Sequence, residues 1–505
     1  MVGLLLAGTS SDAGKSLITA GLCRLARDRG LSVAPFKAQN MSNNSMVCAD
    51  GSEIGRAQYL QAIAAGVEPS SAMNPVLLKP GSDRRSFIVV RGRPAGTLES
   101  GEYAHGRAAL AAAAFEAYAE LAAAHDLVLC EGAGSPAEIN LRAGDYVNFG
   151  LARRFDLPVV LLGDIDRGGV LAALYGTWAL VEPADRNLLA AFLINKFRGD
   201  EAVLTPGLTE LTRRTGVPVR GVIPWLADVW LDGEDTLEVG RWGRDAAGAV
   251  GVDGAAGAGG VDGADGADVL RVAVVRFPRL SNATDVDALA AEPGVRVEVT
   301  TDPAVCAAAD LVVLPGSRST LTDLAWLRGR GLAEVLTQRH RLGRPVLGIC
   351  GGYQMLGATI SDEIEAPGAV PGAAPVPGLG LLPVTTRFAA EKVLGRPLGS
   401  WAGQPVRGYE IHHGRVTPAP GAGTPDPFLD GVVHGQTWGT LWHGIMENDG
   451  FRRAWLTRVA EAAGSPWRPR PGAPAYGERR EAMLDRVAAA LAEHVAVDEL
   501  FALAR

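Results

Sequence analysis

At 505 residues the chain is longer than one hydrophobic core usually fills, so at least two domains are expected. With 47% hydrophobic and 21% charged residues and a net charge of −8, the composition is that of a soluble enzyme. The negative balance argues against nucleic-acid binding, since a polyanion wants a basic face. Cys23, Cys48, Cys130, Cys306 and Cys350 lack CxxC spacing, which fits neither a zinc site nor a disulfide framework and points to a reducing cytoplasm.

The opening run Val2–Ala7 has no basic flank and is too short for a signal or membrane segment, so it reads as a buried first strand. Short apolar runs then alternate with Ala/Leu/Arg-rich helical segments: Leu4–Ala7, Ser32–Phe36, Leu127–Cys130, Pro158–Leu162 and Ala191–Ile194. Continuous apolar strands between helices predict a parallel sheet covered on both faces. Residues 240–268 are almost wholly Gly, Ala, Asp and Val and read as a linker. The strand pattern restarts at Val269–Val275, Val295–Thr300, Leu311–Leu314 and Pro345–Ile349. The expected organisation is therefore α/β, two doubly wound domains with mainly parallel sheets, over 1–239 and 269–457. A Pro/Gly-rich loop is expected near 366–380, and a tail over 458–505 ends in a helix, Arg479–Leu503, assigned to packing or self-association as a homo-oligomer.

The segment Gly8-Thr9-Ser10-Ser11-Asp12-Ala13-Gly14-Lys15-Ser16 joins the first strand to a helix. Such a turn exposes successive backbone N–H groups to a phosphate, with Lys15 reaching the β/γ-phosphates of ATP and the Ser16 hydroxyl reaching Mg²⁺. Thr9, Asp12 and Gly14 belong to the same nucleotide-binding loop. Glu131, ending a strand before Gly132-Ala133-Gly134, stands where Mg²⁺ sits or caps its turn. Asp50 is a weaker Mg²⁺ or acceptor-side candidate, equally a turn aspartate. Asn195, before Lys196 at a strand end, is placed to read the nucleotide base.

In the second half, Gly348-Ile349-Cys350-Gly351-Gly352-Tyr353-Gln354 forms a strand-to-helix elbow. That geometry thrusts the nucleophile outward and aims the N–H of Gly351 at an oxyanion, with Gly316 in Leu314-Pro315-Gly316-Ser317 completing the hole. A thiol needs a base: His443 is the leading candidate, with His412 and His413 as competitors.

These residues resemble two families. The phosphate loop has one residue more between its glycines than the usual P-loop and is similar to that of the dethiobiotin synthetases, which make acyl phosphates. The elbow resembles the class I glutamine amidotransferases, matched at Gly348, Cys350, Gly352 and Gln354, whose domain is flavodoxin-like. That class places a glutamate two residues after its histidine, where this chain has Ile445. A cysteine–histidine dyad without the acid marks the branch that amidates corrinoids. In domain and motif order, through strings such as Phe36-Lys37-Ala38-Gln39-Asn40-Met41-Ser42-Asn43-Asn44-Ser45 and Gly408-Tyr409-Glu410-Ile411-His412-His413-Gly414, the chain is similar to the cobyric acid synthase family. The resemblance implies ATP- and glutamine-dependent amidation of the b, d, e and g carboxylates of an adenosylated corrinoid a,c-diamide, without a nucleic-acid or membrane partner. It also implies that residues 39–45, 50–58, 138–145 and 164–167 line the corrinoid site, with Asn40 and Arg56 on the substrate and Asp145 and Asp166 orienting the acceptor carboxylate or handling protons. For both aspartates a surface or capping role competes. Cobyrinic acid a,c-diamide synthases share both domains, and partitioning ATPases share the first.

Overall fold

The computed structural model describes residues 3–81, 85–99, 107–227, 229, 268–365 and 374–504. The chain divides into two units, one of residues 1–234 with 479–505 and one of residues 235–478. Of the expected linker, only Asp268 is among the described residues, and 366–373 of the expected loop also lie outside them.

In the first unit, β1 (Gly3–Gly8), β2 (Val33–Phe36), β3 (Leu127–Glu131), β4 (Val159–Asp164), β5 (Leu189–Phe197) and β6 (Val219–Pro224) form a parallel sheet in the order β6-β5-β4-β1-β3-β2. Every residue of β1 to β4 is buried, because side chains on both faces feed a core. One core holds Leu5, Phe36, Tyr118, Phe155 and Phe192, the other Leu4, Leu6, Ile18 and Leu22. Burial on both faces is why these strands read as unbroken apolar runs. A further sheet of Gln39–Met41, Val76–Pro80, Arg85–Val90 and Arg93–Glu99 lies in the β2–β3 connection.

The tail differs from the single helix expected. It forms one helix over Tyr476–His494 and another over Val497–Leu503. Between them Val495 bridges to Gly221, and the Ala496 N–H donates to the Arg220 carbonyl (2.8 Å). Leu491 and Val487 press on Gly21 of α1 (Lys15–Asp28), where an added Cβ would lie 2.6 and 2.7 Å from their methyl carbons. Buried Arg24 reaches Glu481 (2.5 Å) and Asp485 (3.2 Å). The tail from 479 onward thus completes the core of the first unit.

The second unit contains β7 (Leu270–Val275), β8 (Leu280–Ser281), β9 (Val295–Thr300), β10 (Leu311–Leu314), β11 (Gly316–Ser317), β12 (Val346–Ile349), β13 (Asp426–Phe428), β14 (Gly431–His434) and β15 (Thr437–Thr440). Its main sheet runs β9-β7-β10-β12-β15-β14-β13. The first five are parallel, and their chain order 2-1-3-4-5 is the flavodoxin-like one. The pair β8–β11 makes a separate two-stranded ribbon.

Two candidate active sites

The loop after β1 enters α1 through Gly14, whose φ of 95° suits glycine and whose added Cβ would collide with the Asn195 amide. Lys15 Nζ donates to the carbonyls of Ser10 (2.8 Å), Ser11 (3.1 Å) and Gly134 (3.3 Å), which keeps the ammonium inside the loop. Ser16 Oγ donates to Glu131 Oε1 at 2.6 Å. Glu131 is wholly buried and also accepts from Lys37 Nζ (2.9 Å) and Gln61 Nε2 (2.7 Å). The structure thus joins Ser16 and Glu131. Asp50 Oδ1 accepts both the hydroxyl (2.6 Å) and the N–H (2.9 Å) of Ser52, which hold its carboxyl below the ordinary carboxylate range.

Thr9 N–H donates to the Leu162 carbonyl (2.9 Å), and Asp12 pairs with Arg167 (2.8 Å). Asn195 Nδ2 donates to the Ala13 carbonyl (2.9 Å), so its amide buttresses the phosphate loop. Lys196, at a left-handed φ of 62°, bridges the Asp12 carbonyl and Asp164 Oδ2, each at 2.7 Å.

The acceptor-side candidates lie differently from expectation. The carboxylate of Asp145 accepts the N–H groups of Val147 (2.8 Å), Asn148 (2.9 Å) and Gly150 (2.8 Å), capping the helix Phe149–Phe155. With both oxygens committed it is a capping aspartate, the competing role. Asp166 is exposed, with its N–H on Asp164 Oδ1 (2.9 Å) and its carboxylate 3.7 Å from Arg198. Asn40 and Arg56 are buried. Asn40 donates to Gln58 (3.0 Å), Arg56 contacts the Met46 sulfur (2.6 Å), and nearby Lys79 holds Glu53 (2.5 Å) and Ser45 (2.8 Å). These strings form an internal polar network, and burial without such partners would be costly.

In the second unit Cys350 follows β12 at φ 50°, ψ −108°, a conformation rare for a residue with a Cβ. Two close approaches impose the turn. A Cβ on Gly352 would collide with the Leu314 carbonyl, and one on Gly351 would lie 2.7 Å from the Ser317 nitrogen. The Cys350 N–H donates to the Thr440 carbonyl (2.8 Å), which joins the elbow to β15 and so to His443 just beyond it.

His443 Nδ1 donates to Asp285 Oδ2 at 2.6 Å, and Asp285 Oδ1 accepts the Gly444 N–H at 2.8 Å. Burial pulls the imidazole pKa down, but the Asp285 carboxylate and then the Cys350 sulfur outweigh it and hold the group up at about 10. Nε2 makes no well-formed hydrogen bond and faces the sulfur, the loose approach common before substrate arrives. Tyr409 stacks on the imidazole, ring centroids 5.2 Å apart, and exchanges both backbone hydrogen bonds with His443 (2.9 and 3.1 Å). Burial pushes the thiols of Cys23, Cys130 and Cys306 up, so these three are poor nucleophiles.

Comparison with known proteins agrees with both halves. Residues 4–238 match the CobQ/CobB/MinD/ParA nucleotide binding domain, and residues 271–451 the CobB/CobQ-like glutamine amidotransferase domain. The cobyric acid synthase of Cutibacterium acnes is 61% identical over 508 residues, covering 100% of both chains. That of Mycolicibacterium gilvum is 53% identical, covering 100% of this chain and 97% of its own. The chain belongs to the cobyric acid synthase family. Among solved structures, a glutamine amidotransferase is similar at 17% identity and a TM-score of 0.31, covering 38% of this chain and 98% of its own.

As a cobyric acid synthase family member the chain supplies its acid from an unexpected place. Asp285 lies in the 3-10 turn Ala283–Val286, between β8 and β9, far in sequence from the position where Ile445 replaces the usual glutamate. The expected dyad is therefore a Cys350–His443–Asp285 line, and no local spacing could have revealed it. The competing histidines bond within their own sheet: His412 Nδ1 meets the Gly414 carbonyl of its own strand (2.8 Å) and His413 Nδ1 the Ala389 carbonyl of the neighbouring strand (3.0 Å).

The ribbon pairing bears on the Gly316 N–H expected as an oxyanion donor. Ser281 pairs with Gly316 and Leu280 with Ser317, while the Arg318 N–H donates to the Arg279 carbonyl (2.8 Å). In an antiparallel ladder hydrogen-bonded pairs alternate, so the Gly316 N–H is given to Ser281. The Ser317 N–H points off the ribbon, on the side where Gly351 lies. Sequence reasoning gave no individual role to Lys37, Gln61, Asp164 and Lys196, of which Asp164 and Lys196 had a usable signal as polar residues at strand ends.

Proposed function

We propose that the chain is a glutamine-hydrolysing, ATP-dependent carboxylate amidoligase that forms cobyric acid by amidating the b, d, e and g carboxylates of an adenosylated corrinoid a,c-diamide in the cytoplasm. The observation that carries the reading is the pairing, in one chain, of a phosphate loop closed by Lys15 with a cysteine elbow whose base is fixed by a buried carboxylate.

In the glutaminase half the proton of the Cys350–His443 pair rests on His443, stabilised by Asp285. The sulfur attacks the glutamine carboxamide, and the N–H groups of Gly351 and Ser317 receive the oxyanion. His443 then delivers its proton to the leaving ammonia, and water releases glutamate from the thioester. In the ligase half a carboxylate is a poor electrophile until the γ-phosphoryl group of ATP converts it to an acyl phosphate, which ammonia attacks. Lys15 and the loop N–H groups hold the phosphates. Ser16 with Glu131, a hydroxyl against a buried carboxylate at 2.6 Å, is a donor set that fits Mg²⁺ completed by phosphate oxygens and water. Mg²⁺ bound there would offset the charge of the β/γ-phosphates.

The test is ammonia release from glutamine by the wild-type protein and by Cys350→Ala, with mass spectrometry of the corrinoid product formed with ATP and glutamine. Release abolished in the variant, and a wild-type product four amides heavier than the diamide, support the reading. Equal release in both proteins, or a product gaining only the a and c amides from the free acid, would overturn it.

A further inference from the structure

The ribbon β8–β11 carries the Ser317 N–H, and two residues are too short a pairing to hold a peptide plane to the accuracy an oxyanion donor needs. A side-chain clamp supplies what the ribbon lacks. Ser317 Oγ donates to Asp323 Oδ2 at 2.5 Å and accepts the Ser319 N–H at 3.0 Å, so the side chain of the donor residue is fixed from both directions. Asp323 lies in the first turn of the helix Thr320–Gly329 and is wholly buried. Burial pushes its carboxyl up to about 6, while the Ser317 hydroxyl and the Arg279 N–H draw it back. Asp323 therefore holds the β11 side of the ribbon through the Ser317 hydroxyl. No helix cap requires this arrangement, because the Asp323 N–H already donates to the Ser319 carbonyl (2.9 Å).

We propose that Asp323 is a positioning residue for glutamine hydrolysis: acting through the Ser317 hydroxyl, it aims the Ser317 N–H, beside that of Gly351, at the oxyanion formed on the glutamine carboxamide. The proposal rests on the reading of Cys350 as the glutamine nucleophile. Burying a carboxylate costs stability, and here the carboxylate holds a backbone segment that lies against the elbow at Gly351. Donor direction matters only once the carbonyl becomes tetrahedral, so loss of the clamp should appear in kcat and leave KM nearly alone.

The experiment compares Ser317→Ala, Asp323→Ala and the double variant in the full-length protein. Cys350 is titrated with iodoacetamide, whose attack needs no oxyanion hole, and glutaminase kcat and KM are expressed per titrated thiol. Each single variant should lose about tenfold to a hundredfold in kcat, a part of the roughly hundredfold or more that removing a whole donor costs, with KM within about twofold. The double variant should lose no more than the worse single one, because both act on one hydrogen bond. Ser317→Ala removes only a hydroxyl and keeps the test sound if Asp323→Ala folds poorly. Wild-type kcat per titrated thiol in Ser317→Ala, or losses that multiply in the double variant, would overturn the proposal. Failure of the underlying reading looks different: the wild-type protein itself would release no ammonia, or Cys350→Ala would release as much.

Discussion

Replacing Asp285 by asparagine should disable glutamine hydrolysis and shift its pH range. Asp285 and His443 are both essentially buried, with Nδ1 and Oδ2 at 2.6 Å, so solvent screens the pair little. The net rise of His443 from 6.5 to about 10, converted at about 1.36 kcal/mol per pH unit, corresponds to roughly 5 kcal/mol. The cost of removing one partner from a buried ion pair is of the same order, about 3–5 kcal/mol. The sign follows from the direction of the shift. A histidine raised on folding contributes its stability in full below the ordinary value of 6.5 and loses it as pH climbs through about 10. Without the carboxylate, burial pulls the imidazole down against the Cys350 sulfur alone, so the proton leaves His443 at a lower pH than in the wild type. Ammonia release from glutamine between pH 6 and 10 should then show the alkaline limb of Asp285→Asn displaced downward by about two units or more, with kcat at pH 8 reduced about 10²–10⁴-fold. An Asp285→Asn protein that is folded, hydrolyses glutamine at the wild-type rate and keeps the wild-type alkaline limb would refute the reasoning.

Cys350→Ala should retain corrinoid amidation when ammonium replaces glutamine, whereas Lys15→Ala should lose it with either nitrogen source; product mass spectra with each donor check both. Glu131→Gln removes the carboxylate shared by Ser16, Lys37 and Gln61 and should abolish ATP-dependent amidation. It also removes the buried Lys37–Glu131 ion pair, so denaturant unfolding should show a loss of stability. Leu491→Ala opens a cavity against Gly21 of α1 and should cost the first unit about 2–5 kcal/mol in the same measurement, with glutamine hydrolysis by the second unit intact.

Most strands of the two main sheets were legible because burial on two faces leaves an apolar run that needs no partner to be recognised, as at Leu4–Ala7 and Leu311–Leu314, whereas Val219–Pro224, Asp426–Phe428 and Gly431–His434 were not among those expected. The loop residues Gly14 to Ser16 and the elbow at Cys350 were legible for a related reason, since glycines beside a nucleophile or a lysine record a close backbone approach within a few residues of chain. What stayed hidden depends on distant partners. Asp285 meets His443 across 158 positions, and Arg24 meets Glu481 across 457, and no periodicity carries such pairings. The asparagine-rich strings carry a different ambiguity. Their composition suggests a wet binding surface, yet Asn40, Arg56, Glu53 and Lys79 are buried together. Composition alone does not distinguish a polar core from a polar surface, because either one satisfies its hydrogen bonds.

A positional rule would have recovered more. In the first unit Gly8 ends β1 before the loop of Lys15 and Ser16, Glu131 ends β3, Asp164 ends β4, and Asn195 and Lys196 stand near the end of β5. In the second, Ser317 follows β10, Cys350 follows β12 and His443 follows β15. Parallel strands all point their carboxyl ends to one edge of the sheet, where loops meet and side chains from strands distant in sequence converge. Once the strands are assigned, the first polar residues at each carboxyl end are therefore candidate partners for one another without any motif. Applied here, that rule yields Asp164 and Lys196, found joined at 2.7 Å. It does not yield Asp285, which enters from a 3-10 turn between strands. The acid that orients His443 thus comes from outside the parallel frame that places the nucleophile and the base, and Asp285→Asn can remove it without disturbing a strand.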